Sequence, residues 1–386
     1  MVFHFRCFSF EYEARAPAKS TTETFYTASS DLNRSKSYSL RSSYLALKRT
    51  NLRVFTIAEL KAATSDFDIS SKIGEGEFWS VHKGTIKSLE RPFDDIQVAV
   101  KLANGRLMGH RKWLKEATLL GVVEHPNLVK LIGYCVEDDD SEIQRILVYE
   151  YMPNGNVNDR LSSMSETPLS WTMRMKVAQD VARGLACLHE GMDYQIIFRD
   201  LKSSNILLDD QWNAKLSDFG WLLLRPQSLT NVPITVTTRY TAPEYIETGH
   251  LTVECDVWSY GTFLYELIAG KLPLDRNQHE NKQQLVNMVK SYIDSKRFRL
   301  TVDSRLEDNY SITSAKKLSI IADRCLSKNP KSRPKMSEVL EMVDELIGGP
   351  SQGSCLDTYV GSLVRVIFIK LKKVLRCKMN VQKDTQ

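Results

Sequence analysis

An α+β fold of two lobes, a small strand-rich lobe followed by a larger helical one, is what the sequence predicts. Three observations carry that expectation. Compact β-branched runs separated by Gly, Pro and Asp fill roughly residues 70–150. Beyond Pro153, apolar residues recur at helical spacing instead. The 386 residues, 42% hydrophobic and 26% charged, are enough for two or three cores and exclude a disordered, collagen-like or disulfide-stapled chain. Ligand sites tend to form where lobes of such different character meet.

The net charge of +5 is too slight over this length to indicate nucleic acid. Seven scattered cysteines without a CxxC pair predict a reduced, intracellular protein. The longest apolar stretches, such as residues 257–269 with Glu266 inside, are too interrupted to span a membrane. The opening MVFHFRCFSF lacks a basic leader and a cleavage site, which argues against secretion.

Taken in order, residues 1–51 are rich in Ser, Thr, Arg and Lys with no sustained periodicity and are expected to form a disordered arm. A short helix is expected from Thr56 to Thr64, and Gly74 and Gly76 then break a strand-like run. Val98 to Leu102 and Arg145 to Tyr151 are β-branched or aromatic enough for strands. Between them Trp113, Leu114, Ala117 and Leu120 keep helical spacing. Val177, Val181, Leu185 and Leu188 place one apolar stripe on a long helix ending at Gly191. Further helices are expected over residues 255–269, 283–293, 314–326 and 337–347. After Gly348, residues 349–386 form a basic tail, in which Val360, Leu363, Val364, Ile367, Phe368, Leu371, Val374 and Leu375 would line one face of an amphipathic helix.

Two segments carry chemistry. In Gly74-Glu75-Gly76-Glu77-Phe78-Trp79-Ser80-Val81, glycines two apart let backbone N–H groups approach an anion, although such pairs also mark ordinary hairpins. Lys101, set among the apolar residues of a strand, requires an anionic partner, for which Glu116 on the next helix is the candidate; a snorkelling edge lysine is the bland alternative. The second segment runs Arg199-Asp200-Leu201-Lys202-Ser203-Ser204-Asn205, followed by Asp218-Phe219-Gly220. Asp200 suits a base for an alcohol, Lys202 a neutraliser of a phosphoryl group, and Asn205 and Asp218 oxygen ligands for Mg²⁺. Their succession points to phosphoryl transfer.

With Ala242-Pro243-Glu244 downstream, residues 52–348 resemble a eukaryotic protein kinase domain, with an N-lobe over 52–151 and a C-lobe over 152–348. Leu147-Val148-Tyr149-Glu150-Tyr151-Met152-Pro153-Asn154-Gly155, Ile197 to Asp209, Arg333 to Ser337 and the lead-in Phe55 to Thr64 resemble plant receptor-like cytoplasmic kinases of the subfamily VII type, which relay signals from cell-surface immune receptors. The resemblance implies a bilobal fold with one regulatory helix in the N-lobe and an ATP- and Mg²⁺-dependent protein serine/threonine kinase. Gly74, Gly76 and Val81 would cover ATP, with Ala99 beside them; Lys101, paired with Glu116, would hold its phosphates; Glu150 and Met152 would present hinge backbone to adenine. Asp200 would be the catalytic base, Lys202 the phosphate neutraliser, and Asn205 and Asp218 the metal ligands. Asp256 would brace the catalytic loop, and Glu244 and Arg333 would form an ion pair. Protein substrates and a plasma-membrane receptor kinase are the partners implied.

Departures from the family pattern matter as much. Trp79 stands where the Gly-rich loop has its third glycine, and a bulky indole there is expected to stiffen or displace the loop's tip and to lower ATP affinity and rate. Phe198 replaces a His before Arg199-Asp200 with little expected consequence, and Trp221 follows Asp218-Phe219-Gly220 where a leucine is usual. Val236 to Tyr245 lacks both glycines of the activation segment, so peptide docking is the more affected step; phosphorylated Thr235 or Thr237 is expected to bind Arg199. The rival reading is a kinase-shaped scaffold of low turnover, opposed by the intact Lys101, Asp200, Asn205 and Asp218. Val2 excludes myristoylation, Cys7 and Cys377 are candidates for acylation, and the basic tail favours a cytoplasmic protein peripheral to the plasma membrane; a tail helix packed on the domain is an equal alternative.

Overall fold

Val98 and Val100 are fully buried whereas Lys101 beside them is not, so the V-A-V-K run alternates across a strand with its valines inward. In this computed structural model the described residues are 50–348, apart from 77–78, 89–93, 104–107, 139–142, 163, 166, 193, 226–238 and 272–295. The expected arm, the helix over 283–293, Thr235, Thr237 and the basic tail therefore lie outside the described residues. The chain divides into two units, one of residues up to 124 with 130–151, the other of 125–129 with residues from 152 onward.

The first unit is built on a six-stranded sheet. Its elements are β1 (Arg53–Val54), α1 (Ile57–Ala63), β2 (Lys72–Gly76), β3 (Trp79–Lys87), β4 (Asp95–Ala103), α2 (Met108–Leu120), β5 (Leu131–Asp138) and β6 (Ile143–Glu150), with strand order β1-β5-β6-β4-β3-β2. Phe55, Leu60, Ile86, Val98, Val100, Cys135, Ile146 and Val148 form the core on one face. Helix α1 starts where Thr-x-x-Glu predicts: Thr56 Oγ1 accepts from the Glu59 N–H, and the Glu59 carboxylate accepts from the Thr56 N–H at 2.8 Å. Several strands escape the sequence reading, two of them in this unit for a plain reason. β1 has only two residues, and β5 carries Gly133 and Cys135 in place of a β-branched run; pairing with β6 from Leu131↔Tyr149 to Asp138↔Ile143 makes it a strand.

The second unit is mostly helical. It contains α3 (Val157–Leu161), α4 (Trp171–Glu190), β7 (Gln195–Ile197), β8 (Ile206–Leu208), β9 (Ala214–Leu216), β10 (Leu223–Arg225), α5 (Pro243–Thr248), α6 (Val253–Ala269), α7 (Ile312–Cys325) and α8 (Met336–Ile347). The stripe expected on α4 is buried, Ser170 caps its start and Gly191 follows its last residue. Helix α6 is buried on every side from Cys255 to Ala269, the pattern of a central helix. Gly261 lets α7 come close: a Cβ there would lie 2.8 Å from Cys325 Cβ and 2.9 Å from Leu326 Cγ.

One buried cation ties distant parts of this unit together. Arg174 on α4 is fully buried, donating to the Leu169 and Leu267 carbonyls at 2.9 Å each and to Asp303 Oδ2 at 2.6 Å. Asp303 also accepts from Arg305, which reaches the Ser162 and Leu161 carbonyls. Burial pushes the Arg174 pKa down, opposed by the Asp303 carboxylate. Removing one member of such a buried pair typically costs about 3–5 kcal/mol, because the partner is left desolvated. Urea denaturation is expected to show Arg174→Ala destabilised by about that amount; a loss of less than about 1 kcal/mol, the value of an exposed pair, would show that water reaches the cluster.

Candidate active site

The sheet unit supplies a cation and its carboxylate. Because β4 turns Val98 and Val100 into the core, Ala99 and Lys101 share the other face, together with Val81, which pairs with Lys101 across β3. Lys101 Nζ lies 3.1 Å from both Glu116 oxygens, so the pairing expected from sequence forms as a bidentate contact to α2. Glu116 is buried, and Tyr149 Oη donates to its Oε1 at 2.5 Å. Sequence reading missed Tyr149; its hydroxyl is recognisable only once β6 brings it to α2. Gly74 and Gly76 sit opposite Val81 and Trp79, and the Trp79 indole lies against both glycines. At the strand's end Glu150 is tied to Lys130 twice, its N–H donating to the Lys130 carbonyl and its carboxylate accepting from the Lys130 N–H.

The helical unit carries a cluster of its own. Asp256, buried at the start of α6, accepts from the Phe198 and Arg199 N–H groups at 2.7 Å each, and His189 Nε2 stands 2.8 Å from its Oδ2. Arg199 is held at φ 75°, a region few non-glycine residues enter. The next residue, Asp200, is buried, and three contacts orient it. Asn205 Nδ2 donates to its carbonyl at 2.9 Å and to its Oδ2 at 3.0 Å, while Lys202 Nζ lies 2.8 Å from the same Oδ2. Asn205 is held in turn, its carbonyl accepting from Ser217 N–H and Oγ–H, so Asp218 follows directly at φ 61°, ψ 66°. Phe198 packs edge-on against Phe219. Met152 is buried, and its carbonyl accepts from the Gly155 N–H.

Each departure residue in the described region makes a specific contact. The Arg199 guanidinium donates to Tyr245 Oη at 2.8 Å and lies 5.4 Å from the Trp221 ring centroid. Glu244 and Arg333 pair as expected, at 2.6 and 2.8 Å, and Trp258 covers the guanidinium. A further network has no signal in the sequence. Glu266 on α6 is buried and accepts from Ser203 Oγ and Tyr240 Oη at 2.6 Å each, joining the loop after Asp200 to the residues before α5. Burial pushes the Glu266 pKa up to about 7 and raises that of Tyr240 as well.

Among known proteins, the family described as "Protein tyrosine and serine/threonine kinase" matches residues 67–343. The chain is 55% identical over 315 residues to the Arabidopsis thaliana serine/threonine-protein kinase PCRK2, covering 80% of this chain and 75% of that protein. It is 51% identical over 346 residues to PCRK1 of the same plant, covering 88% and 80% respectively. It is 45% identical over 308 residues to the EPD1-interacting receptor-like cytoplasmic serine/threonine-protein kinase 5D of Gossypium barbadense, covering 78% and 66%.

The Glu266 network makes stability pH-dependent in a definite direction. The carboxyl titrates near 7 when folded, against an ordinary value of 4.5, so the folded protein keeps a proton that the unfolded chain releases. Its contribution is complete below about pH 4.5 and is lost as pH rises through about 7. Thermal unfolding of wild type and Glu266→Gln between these limits is expected to show the wild type losing ground steadily as pH rises; parallel profiles would remove Glu266 as the source.

Proposed function

The chain belongs to the protein tyrosine and serine/threonine kinase family, in its plant receptor-like cytoplasmic branch, and we propose that it acts as a Mg²⁺-dependent relay for a cell-surface receptor in plant defence. It is a protein serine/threonine kinase with the α+β fold of that family: a β-sheet lobe and a helical lobe, with ATP and a divalent ion serving transfer to protein hydroxyls.

The geometry around Asp200 carries the assignment of roles. Its carboxylate is buried, held on one oxygen by Asn205 and Lys202, and placed on a loop whose backbone Asp256 fixes, which suits a base that receives the proton of a protein hydroxyl. Lys202 would stabilise negative charge on the transferring group. Asn205 and Asp218 fit a hard divalent cation because both offer oxygens at adjoining, backbone-constrained positions; Mg²⁺ bound there would neutralise phosphate charge. Lys101, kept in place by Glu116, would hold ATP phosphates, Val81 and Ala99 would face the base from the sheet, and the backbone at Glu150 and Met152 would receive adenine. The rival reading, a scaffold of low turnover, draws on Trp79 and the altered activation segment.

The tail and Cys7 or Cys377 support a peripheral plasma-membrane position by charge and by a site for acylation, which fits a receptor partner held at the same surface. Among the described residues no helix is long and apolar enough to cross a membrane. Phosphorylated Thr235 or Thr237 is proposed as a partner for Arg199.

Asp200→Asn is expected to lower autophosphorylation by at least about 100-fold, the scale of a general base removed, while Mg-ATP still binds; retained activity would exclude Asp200 as the base. Wild-type activity absent and restored only by Trp79→Gly would favour the scaffold. Truncation after residue 348 is expected to move the protein from the membrane fraction to the soluble fraction at physiological salt; an unchanged distribution would exclude the tail as anchor. Alanine at both Thr235 and Thr237 is expected to lower peptide phosphorylation, and unchanged activity would remove them as activating sites.

A further inference from the structure

Gly74 and Gly76 lack the Cβ that would keep another group away from their backbone, and in this structure the group that uses the space belongs to the protein. A Cβ on Gly76 would lie 2.7 Å from Trp79 Cε2 and 2.9 Å from its Cζ2 and Nε1, and one on Gly74 would lie 3.5 Å from its Cζ3. The indole is therefore laid across β2, over the backbone that the glycines expose. Register explains why it points there. Trp79 pairs with Gly76 and Ala103, and Val81, two residues on, pairs with Gly74 and Lys101, so Trp79, Val81 and Lys101 share the face away from the core. On that face Lys101 Nζ stands 5.4 Å from the Trp79 ring centroid while it holds Glu116. The ring thus lies against both features that recognise a polyphosphate in this lobe: it covers the exposed glycine backbone and faces the ammonium.

We propose that Trp79 is a specificity-determining residue for the nucleotide, competing with its phosphates for the Gly74–Gly76 backbone and for Lys101. The proposal rests on the kinase reading above and goes beyond it. A phosphate chain carries negative charge to the ammonium and can accept from backbone N–H groups, and neither interaction is open to it until the indole leaves. The adenine end of the ligand meets other residues, so the penalty falls on the phosphates and spares the nucleoside. ATP binding is then coupled to displacement of the ring, and adenosine competes with ATP better than in a chain with glycine at this position. A cation–π interaction is worth about two- to thirtyfold in a binding constant, and the steric overlap adds to it.

The experiment is calorimetric titration of the full chain with Mg-ATP and, separately, with adenosine, for wild type, Trp79→Gly and Trp79→Phe. Trp79→Gly is expected to raise the ratio of adenosine Kd to Mg-ATP Kd by about tenfold, within the range of a single cation–π interaction, while adenosine Kd itself stays within about twofold. Trp79→Phe, which keeps a smaller ring and the strand, is expected to raise the ratio by a smaller factor and serves if the glycine variant does not fold. In the wild type, Mg-ATP and not adenosine is expected to increase acrylamide quenching of the fluorescence that Trp79→Phe removes. Equal Mg-ATP affinity in all three proteins, or weaker Mg-ATP binding without the indole, would overturn the proposal and leave the kinase reading standing. Failure of every protein to bind either ligand would overturn the kinase reading itself.

Discussion

The carboxylate of Asp256 is the contact on which the arrangement around Asp200 in the helical lobe depends. Buried in α6, it takes the N–H groups of Phe198 and Arg199 on its two oxygens and has His189 beside one of them. A buried charge is stable only when its lone pairs are satisfied, and here the donors include two successive main-chain groups. That satisfaction holds Arg199 at positive φ, and the turn it imposes delivers Asp200 to Asn205 and Lys202. Strain in the loop is offset by hydrogen bonds to a helix that is itself surrounded by protein.

Helix α6 is accordingly more than packing. Along its length Asp256 orders the loop before Asp200, Tyr260 donates to the Ala178 carbonyl on α4, and Glu266 gathers Ser203 and Tyr240. Both acids lie buried on α6 and accept from the segment around Asp200. Glu266 receives hydroxyl donors in full burial, and desolvation prevails, raising its pKa; the Ser203 and Tyr240 hydroxyls and the charge of Arg239 soften the penalty without cancelling it. The sheet lobe repeats the theme on a smaller scale, with Glu116 buried between the Lys101 ammonium and the Tyr149 hydroxyl. In each case a carboxylate from one element fixes chemistry carried by another.

Much of this is legible in the chain. V-A-V-K declares its strand because alternation puts valine inside and lysine outside. Thr56-x-x-Glu59 declares a helix start, the spacing of Val177, Val181, Leu185 and Leu188 declares α4, and the order of Lys101, Asp200, Asn205 and Asp218 declares phosphoryl transfer. Strands β1 and β5 are not legible, since two residues carry no period and Gly133 weakens the other; pairing partners supply what propensity lacks. Tyr149, His189, Ser203, Tyr240 and Glu266 look like ordinary core or loop residues until distant segments meet, so no local signal marks them.

Trp79 shows the division most sharply. From the sequence alone it is a large ring where a small residue is expected, which implies an altered loop and weaker ATP binding but not where the indole points. Period-two alternation along β3 and its register against β2 and β4 turn the indole to the Lys101 face and lay it over Gly74 and Gly76. The chain by itself determined the chemistry available, since residue types and short spacings decide which groups can bind, accept or donate. Only the tertiary structure decided which groups meet: contacts such as Arg199 with Asp256 or Lys101 with Trp79 are made by segments brought together through pairing and packing, and no local rule of sequence encodes them.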